Sequence, residues 1–328
     1  LVAPEAAMAW LSGKLAGNIP LPGLAGEEGI FADSTVVKRG ENLYFSPEFG
    51  VIMTQDGQIF RETAKEAEFL SPDLSAVPRP SGNEPEVTAG AVFMPWGGNT
   101  NYGHFLIDGL SGIEAIRSTG EDVTLLAPPL KRWQREVLAL IGERPLEIDH
   151  KLVRIRKVIW STCMNQFLHW PNSILDRLSV RLRDSLLQNN TSKKIYVSRS
   201  RIADEKRILI NEVEVENLLS EAGFTVINPQ FLSVREQAEI FNAADIVVST
   251  TGAQLSNILF MRPGSAVVEI CPTNYPGIWT RNICYRLGLD WHCHYFSSPE
   301  VQVDSYRFSY RIDAAAFVAF ALSVSARS

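Results

Sequence analysis

The chain has 328 residues, more than one hydrophobic core normally serves, which points to two domains of about 150 residues each. Hydrophobic residues make up 45% and charged residues 21%, so wholesale disorder is excluded. A net charge of −6 argues against a general nucleic-acid binder, which would carry a basic face. The four cysteines, Cys163, Cys271, Cys284 and Cys293, form no C-x-x-C pair, so neither a structural zinc site nor a disulfide framework is expected. No run reaches the ~20 apolar residues that span a bilayer. The chain opens on Leu1 rather than Met, which leaves room for a missing signal or anchor.

In chain order, the first part is rich in Gly and Pro, with short strand-like pieces at Asn42–Phe45 and Gly50–Met53 and a tight turn at Asp56-Gly57. It reads as a β-rich segment over 1–90 that ends in a Pro-marked loop. The rhythm then changes. Ala91–Met94 reads as a buried strand, Tyr102–Arg117 as an amphipathic helix, Val123–Leu126 as a strand, Lys131–Ile141 as a helix and Val158–Trp160 as a strand. A helix over Ser173–Leu187 carries Leu175, Leu178, Leu182 and Leu186 at helical spacing. After a polar stretch the alternation resumes with strands at Ile195–Val197, Phe224–Ile227, Ile246–Val248 and Ala266–Ile270. Helices over Glu212–Ala222, Val234–Ala243 and Ala253–Met261 separate them, and Ala314–Val324 reads as a C-terminal packing helix. Strands spaced by helices of this length imply βαβ units and parallel sheets. The expectation is an α/β chain of two Rossmann-like domains across a cleft, divided at 1–190 (1–90 β-rich, 91–190 Rossmann-like) and 191–312. The helix of 313–328 is available to cross back to the first domain.

Three segments carry chemistry. Ser249-Thr250-Thr251-Gly252-Ala253 follows a strand and opens a helix. Such a helix start presents free N–H groups and a positive dipole end to an anion, and Gly252 would let backbone approach a phosphate; a plain N-cap is the alternative. Arg199 follows the strand Ile195–Val197, at the carboxyl edge of the sheet where open α/β folds bind ligands. With Arg207 it could grip phosphate oxygens, although Arg201 and Lys206 read as solvated charges. In Asn101-Tyr102-Gly103-His104-Phe105-Leu106-Ile107-Asp108 the His and the Asp are four apart and share a helix face. They could supply a general base, or merely cap and stabilise their own helix. His292 and His294 alternate around Cys293 and are read as packing, not metal ligation. Trp170 reads as a staple ahead of a helix, or as a platform for a substrate.

Taken together, these segments resemble glycosyltransferase family 61. Asn101, His104, Phe105 and Asp108 are similar to its N-x-x-H-F-x-x-D motif, and Arg199, Arg207, Asn211 and Glu212 to its Arg…Arg-x-x-x-N-E pattern. Gly223 to Pro229 followed by Glu236-Gln237, and the run Gly252, Ala253, Leu255, Asn257, Phe260, Met261, Pro263, Gly264, Ser265 and Glu269, are similar to its later motifs. One departure stands out: many relatives have His before the Gly-Ala, where this chain has Thr251.

The resemblance implies a GT-B-like architecture and an inverting transfer of a sugar from a nucleotide-sugar donor, expected to be UDP-linked, to a hydroxyl of a glycan or glycolipid acceptor. It also implies metal independence, in keeping with the lack of any D-x-D pair in the sequence. No cofactor and no nucleic-acid partner is expected. The expected donor residues are Arg199, Arg207, Thr250, Thr251, Gly252, Ala253, Asn257 and Glu269, on 191–312. The expected catalytic pair is Asp108 and His104, with Asn101 and Trp170 on the acceptor side. A bacterial surface-polysaccharide enzyme, cytoplasmic or peripheral at the inner face of the membrane, completes the expectation. A nucleotide-sugar epimerase of the same architecture, and a non-catalytic sugar-nucleotide or glycan-binding module, stay open.

Overall fold

The computed structural model describes residues 37–60, 63, 74–93, 97–161, 173–186, 193–202, 206–272, 278–296, 301–302 and 307–326. The chain divides into two compact units, one within Glu28–Ser185 and the other containing Leu186–Ser328. Among the described residues no helix is long and apolar enough to cross a membrane.

The first unit is built on strands β1 (Val37–Ser46), β2 (Val51–Met53), β3 (Glu86–Val92), β4 (Leu125–Ala127), β5 (Leu146–Glu147) and β6 (Val153–Ser161). They form one sheet in the order β2-β1-β6-β3-β4-β5. The β6-β3-β4-β5 part is parallel, whereas β1 is antiparallel to both β2 and β6. The described strands of the N-terminal segment therefore belong to the sheet itself, since β1 pairs with β6 from Val37–Ser161 to Phe45–Val153.

Between β3 and β4 runs helix α1, in three parts: α-helical Tyr102–His104, a π turn over Phe105–Gly109 and α-helical Leu110–Arg117. Asn101 caps its start, its Oδ1 accepting from the amides of Gly103 at 2.8 Å and His104 at 3.3 Å. Helix α2 (Arg132–Leu140) and helix α3 (Ser173–Asp184) also belong to this unit. Arg117 of α1 grips Glu143 with two nitrogens at 2.9 and 2.8 Å, and Arg181 of α3 reaches the same carboxylate at 3.0 Å. Burial pushes the Glu143 carboxyl up, but the two guanidinium groups outweigh burial and hold it below its ordinary value.

The second unit holds β7 (Lys193–Val197), β8 (Ile208–Leu209), α4 (Glu212–Glu221), β9 (Thr225–Ile227), α5 (Val234–Asn242), β10 (Ala244–Thr250) and β11 (Ala266–Pro272). Helix α6 (Ile278–Leu287), β12 (Asp290–Phe296), β13 (Val301–Gln302), β14 (Phe308–Tyr310) and α7 (Ala314–Ser325) follow. Five strands form a parallel sheet in the order β12-β11-β10-β7-β9. The Val and Ile runs of β7, β10 and β11 are buried, as strands covered by helices on both faces require; Val226 of the edge strand β9 is only half-buried. A second, small sheet has the order β13-β14-β8.

Helix α7 packs on α4, β11 and β12 of its own unit. Phe317, Ala321 and Val324 are buried there with Val215, Leu219, Val248 and Val268. A helix apolar nearly all round names no particular partner in the sequence. One expectation is corrected here. The run after Gly252 is a 3-10 helix, Ala253–Phe260, not an α-helix. Its second half is tied to α5, where the Asn257 amide donates to Gln237 Oε1 at 3.0 Å and Asn242 donates to the Phe260 carbonyl at 2.9 Å.

Candidate active site

The order of the parallel sheet fixes where a ligand can sit. From β7 the chain goes by α4 to β9 on one side. It then returns by α5 to β10 on the other side and continues outward to β11 and β12. The direction of winding thus reverses between β7 and β10. In open α/β sheets the crevice beyond the carboxyl ends of the two strands at such a reversal is the usual ligand site. Val197 of β7 lies level with Ser249 of β10, so Arg199 and the Thr251-Gly252 turn emerge side by side.

They meet. The Arg199 guanidinium donates through Nη1 to the Thr251 carbonyl at 3.3 Å and through Nη2 to the Lys206 carbonyl at 3.2 Å. Its main-chain amide donates to Glu212 Oε1 at 2.8 Å, and the Tyr196 hydroxyl donates to the same oxygen at 2.9 Å. Glu212 is buried, and burial raises its carboxyl above the ordinary value against the pull of those two donors. Gly252 has extended backbone with φ 165, so conformational freedom does not explain it. A Cβ there would stand 2.5 Å from Arg199 Nη1 and would also meet the Gln254 amide, the ends of two flexible side chains that would have to shift aside.

Arg207 shares this neighbourhood. Arg199, Lys206, Arg207 and Glu212 line one hollow of about 240 Å³, floored by Leu209. Arg207 holds φ 55, a left-handed conformation that costs a non-glycine residue about 1–2 kcal/mol. Strain of that kind collects at functional sites. Asn211 completes the frame, bonding the main chain of Ile312 through Nδ2 at 3.0 Å and Oδ1 at 3.3 Å. The Arg-Asn-Glu pattern thus holds the loop in place as well as supplying cations to it.

The other expected donor residues lie elsewhere. Thr250 and Thr251 are buried, and the Thr251 amide is spent on the Ile270 carbonyl at 3.1 Å. The cradle expected over Thr250–Ala253 therefore narrows to Gly252, Ala253 and the first 3-10 turn, whose earliest bond runs from Leu255 to the Gly252 carbonyl. Asn257 is fully buried on Gln237. Glu269 sits inside β11, 0% exposed, accepting from Trp291 Nε1 at 3.0 Å and Thr280 Oγ1 at 3.4 Å. Burial, partly offset by the Thr251 hydroxyl and the Trp291 indole, raises its carboxyl to about 7. Sequence spacing brought these residues near the turn in the chain, but packing against neighbouring strands and helix α5 buries all four side chains.

In the first unit His104 and Asp108 come together, His104 Nδ1 standing 2.7 Å from Asp108 Oδ2. The imidazole keeps 11% of its side-chain surface and the carboxylate keeps none. An ionised carboxylate only accepts, so Nδ1 carries the proton and Nε2 becomes the basic nitrogen. The pair begins the π turn, a distortion often found at functional sites. Asn101 acts locally as the helix cap, and Trp170 lies outside the described residues. His294 packs on the rings of Phe317 at 5.3 Å and Phe320 at 5.7 Å, and Cys271, Cys284 and Cys293 are free thiols. Among the described residues no group of three or more His, Cys, Asp or Glu stands close enough to hold a metal ion.

A parallel α/β sheet whose switch point carries a guanidinium over a glycine turn suits an enzyme that handles phosphorylated substrates. The chain matches the family model described as Glycosyltransferase 61 over residues 102–268, just over half of its length. This protein is therefore a glycosyltransferase, and it belongs to glycosyltransferase family 61. A search of curated proteins found no match.

Proposed function

We propose that this enzyme moves a sugar, with inversion and without a metal ion, from a UDP-linked donor to a hydroxyl of a glycan or glycolipid acceptor. In this reading the two units face one another in a GT-B arrangement, with the donor on 191–312 and the acceptor on the N-terminal side. The observation that carries it is the meeting of Arg199 with the Gly252 turn at the β7/β10 reversal. As the glycosidic bond breaks, negative charge grows on the leaving diphosphate. Fixed guanidinium groups of Arg199 and Arg207, with the first amides of the 3-10 helix, would stabilise that charge more in the transition state than in the ground state.

His104 Nε2 takes the proton from the acceptor hydroxyl, and buried Asp108 positions the ring and stabilises the imidazolium that forms. The difference in exposure supports this assignment, because only the imidazole reaches the surface. A bacterial origin, a polysaccharide acceptor and a cytoplasmic place at the inner face of the membrane belong to the same proposal.

The test is a thermal-shift series with UDP-, GDP-, CMP- and dTDP-sugars, each with and without EDTA. A ligand held only by the native state raises the melting temperature. A UDP-sugar should do so equally in EDTA and lose the effect in Arg199→Ala. A shift that vanishes with EDTA would overturn metal independence, and turnover of donor alone would favour an epimerase.

A further inference from the structure

A hollow of about 430 Å³ in the first unit lies apart from the residues assigned above. It falls within the ~300–1,000 Å³ typical of small-molecule sites. We propose that it binds one neutral hexopyranosyl unit of the acceptor glycan. The assignment of that sugar as acceptor rests on the function proposed above, whereas the binding itself does not.

Its walls are of two kinds. Pro47, Pro128 and Pro129 present rigid apolar rings, against which the C–H face of a pyranose can lie. Around them stand Glu48 and Asp149 as acceptors and Lys131 and Lys151 as donors, matching a ring of hydroxyls that both donate and accept. The two carboxylates balance the two ammonium groups. A hollow with no excess of cations has no electrostatic preference for a phosphate or a polyanion, unlike the Arg199 hollow, where three cations face one carboxylate.

The hollow is also joined to the catalytic pair. Asn99 on its wall belongs to the loop that leads into the Asn101 cap. Gln134, also on the wall, donates through Nε2 to the Gly98 carbonyl at 3.0 Å. The neighbouring Trp133 packs on Tyr102 at 5.5 Å and on Phe105 at 5.0 Å, the residues that flank Gly103-His104. A sugar held here therefore touches the same loop that sets the position of His104.

Saturation-transfer NMR on the full chain tests this with methyl β-D-glucopyranoside, methyl β-D-galactopyranoside, methyl α-D-mannopyranoside, glucuronate and inorganic phosphate, each alone, and with UDP in a parallel sample. At least one neutral glycoside should show transfer. Asp149→Ala and Lys151→Ala should each weaken that binding ~10-fold or more, the usual effect of losing a charged hydrogen-bonding partner, while leaving the UDP signal unchanged. Both side chains are exposed, so unaltered melting temperatures should show that the fold is kept. A glycoside signal insensitive to both changes overturns the proposal, as does preference for glucuronate or phosphate. Absence of every glycoside signal in a chain that binds UDP overturns it while sparing the proposed donor site. Glycoside binding lost in the two variants, in a chain that binds no nucleotide, supports this pocket and sinks the donor reading.

Discussion

At the scale of single residues, Arg199 and Gly252 act as one device. The guanidinium occupies the space a Cβ would take, so changing either partner should disturb the same step. Removal of one oriented donor from a charge-stabilising site typically costs about 3 kcal/mol, or ~100-fold in rate. Arg199→Ala should therefore lower kcat/KM about that far, with far-ultraviolet circular dichroism unchanged. Gly252→Ala should give a comparable loss by expelling the guanidinium, and near-normal turnover in it would separate the turn from the chemistry. Asp108→Asn tests the other unit. An amide can donate to Nδ1 and so favour the wrong tautomer, which should reduce kcat by ~10²–10⁴. Nucleotide affinity should stay unchanged. A parallel loss of UDP binding would show that the pair acts on the donor.

At the scale of elements, β11 carries a pH dependence inside the sheet. Burial raises the Glu269 carboxyl to about 7 from its ordinary 4.5, so between those values the native state binds a proton that the unfolded chain lacks. Stability then falls as pH rises through that window and levels off above it. A shift of this size corresponds to about 3 kcal/mol, and Glu269→Gln, which cannot ionise, should flatten the slope in urea unfolding series from pH 5 to pH 8. The same strand shows why sequence reasoning misplaced this residue. A Glu late in a run of Val and Ile looks like a solvated end, but β11 continues to Pro272 because β12 pairs alongside it through Phe296. The His104–Asp108 pair was legible because its relation is local, a step of four along one helix, whereas Asn101, expected from sequence on the acceptor side, is shown by the structure to cap the helix. The π turn that begins beside the pair was not legible, since nothing in Phe105-Leu106-Ile107-Asp108-Gly109 breaks an ordinary helical pattern.

At the scale of the whole molecule, α7 tests how the second unit closes. Phe317 is completely buried among α4 and sheet residues, and Phe317→Ala should destabilise by ~3–5 kcal/mol, seen as a lower unfolding midpoint in denaturant. A change below about 1 kcal/mol would mean that the helix adds little to this core. The sequence by itself determined the alternation of strands and helices, the parallel second sheet, the family motifs and the His104–Asp108 pair. Each of these depends on spacing along the chain, which periodicity records. Only the tertiary structure decided that β1 joins the β6 edge, that α7 packs on α4, β11 and β12 and that Thr251, Asn257 and Glu269 turn inward. It also decided that Arg199 lies over Gly252. Those outcomes depend on which strands become neighbours and which faces need covering, and residues far apart in sequence meet only after the core has chosen its partners.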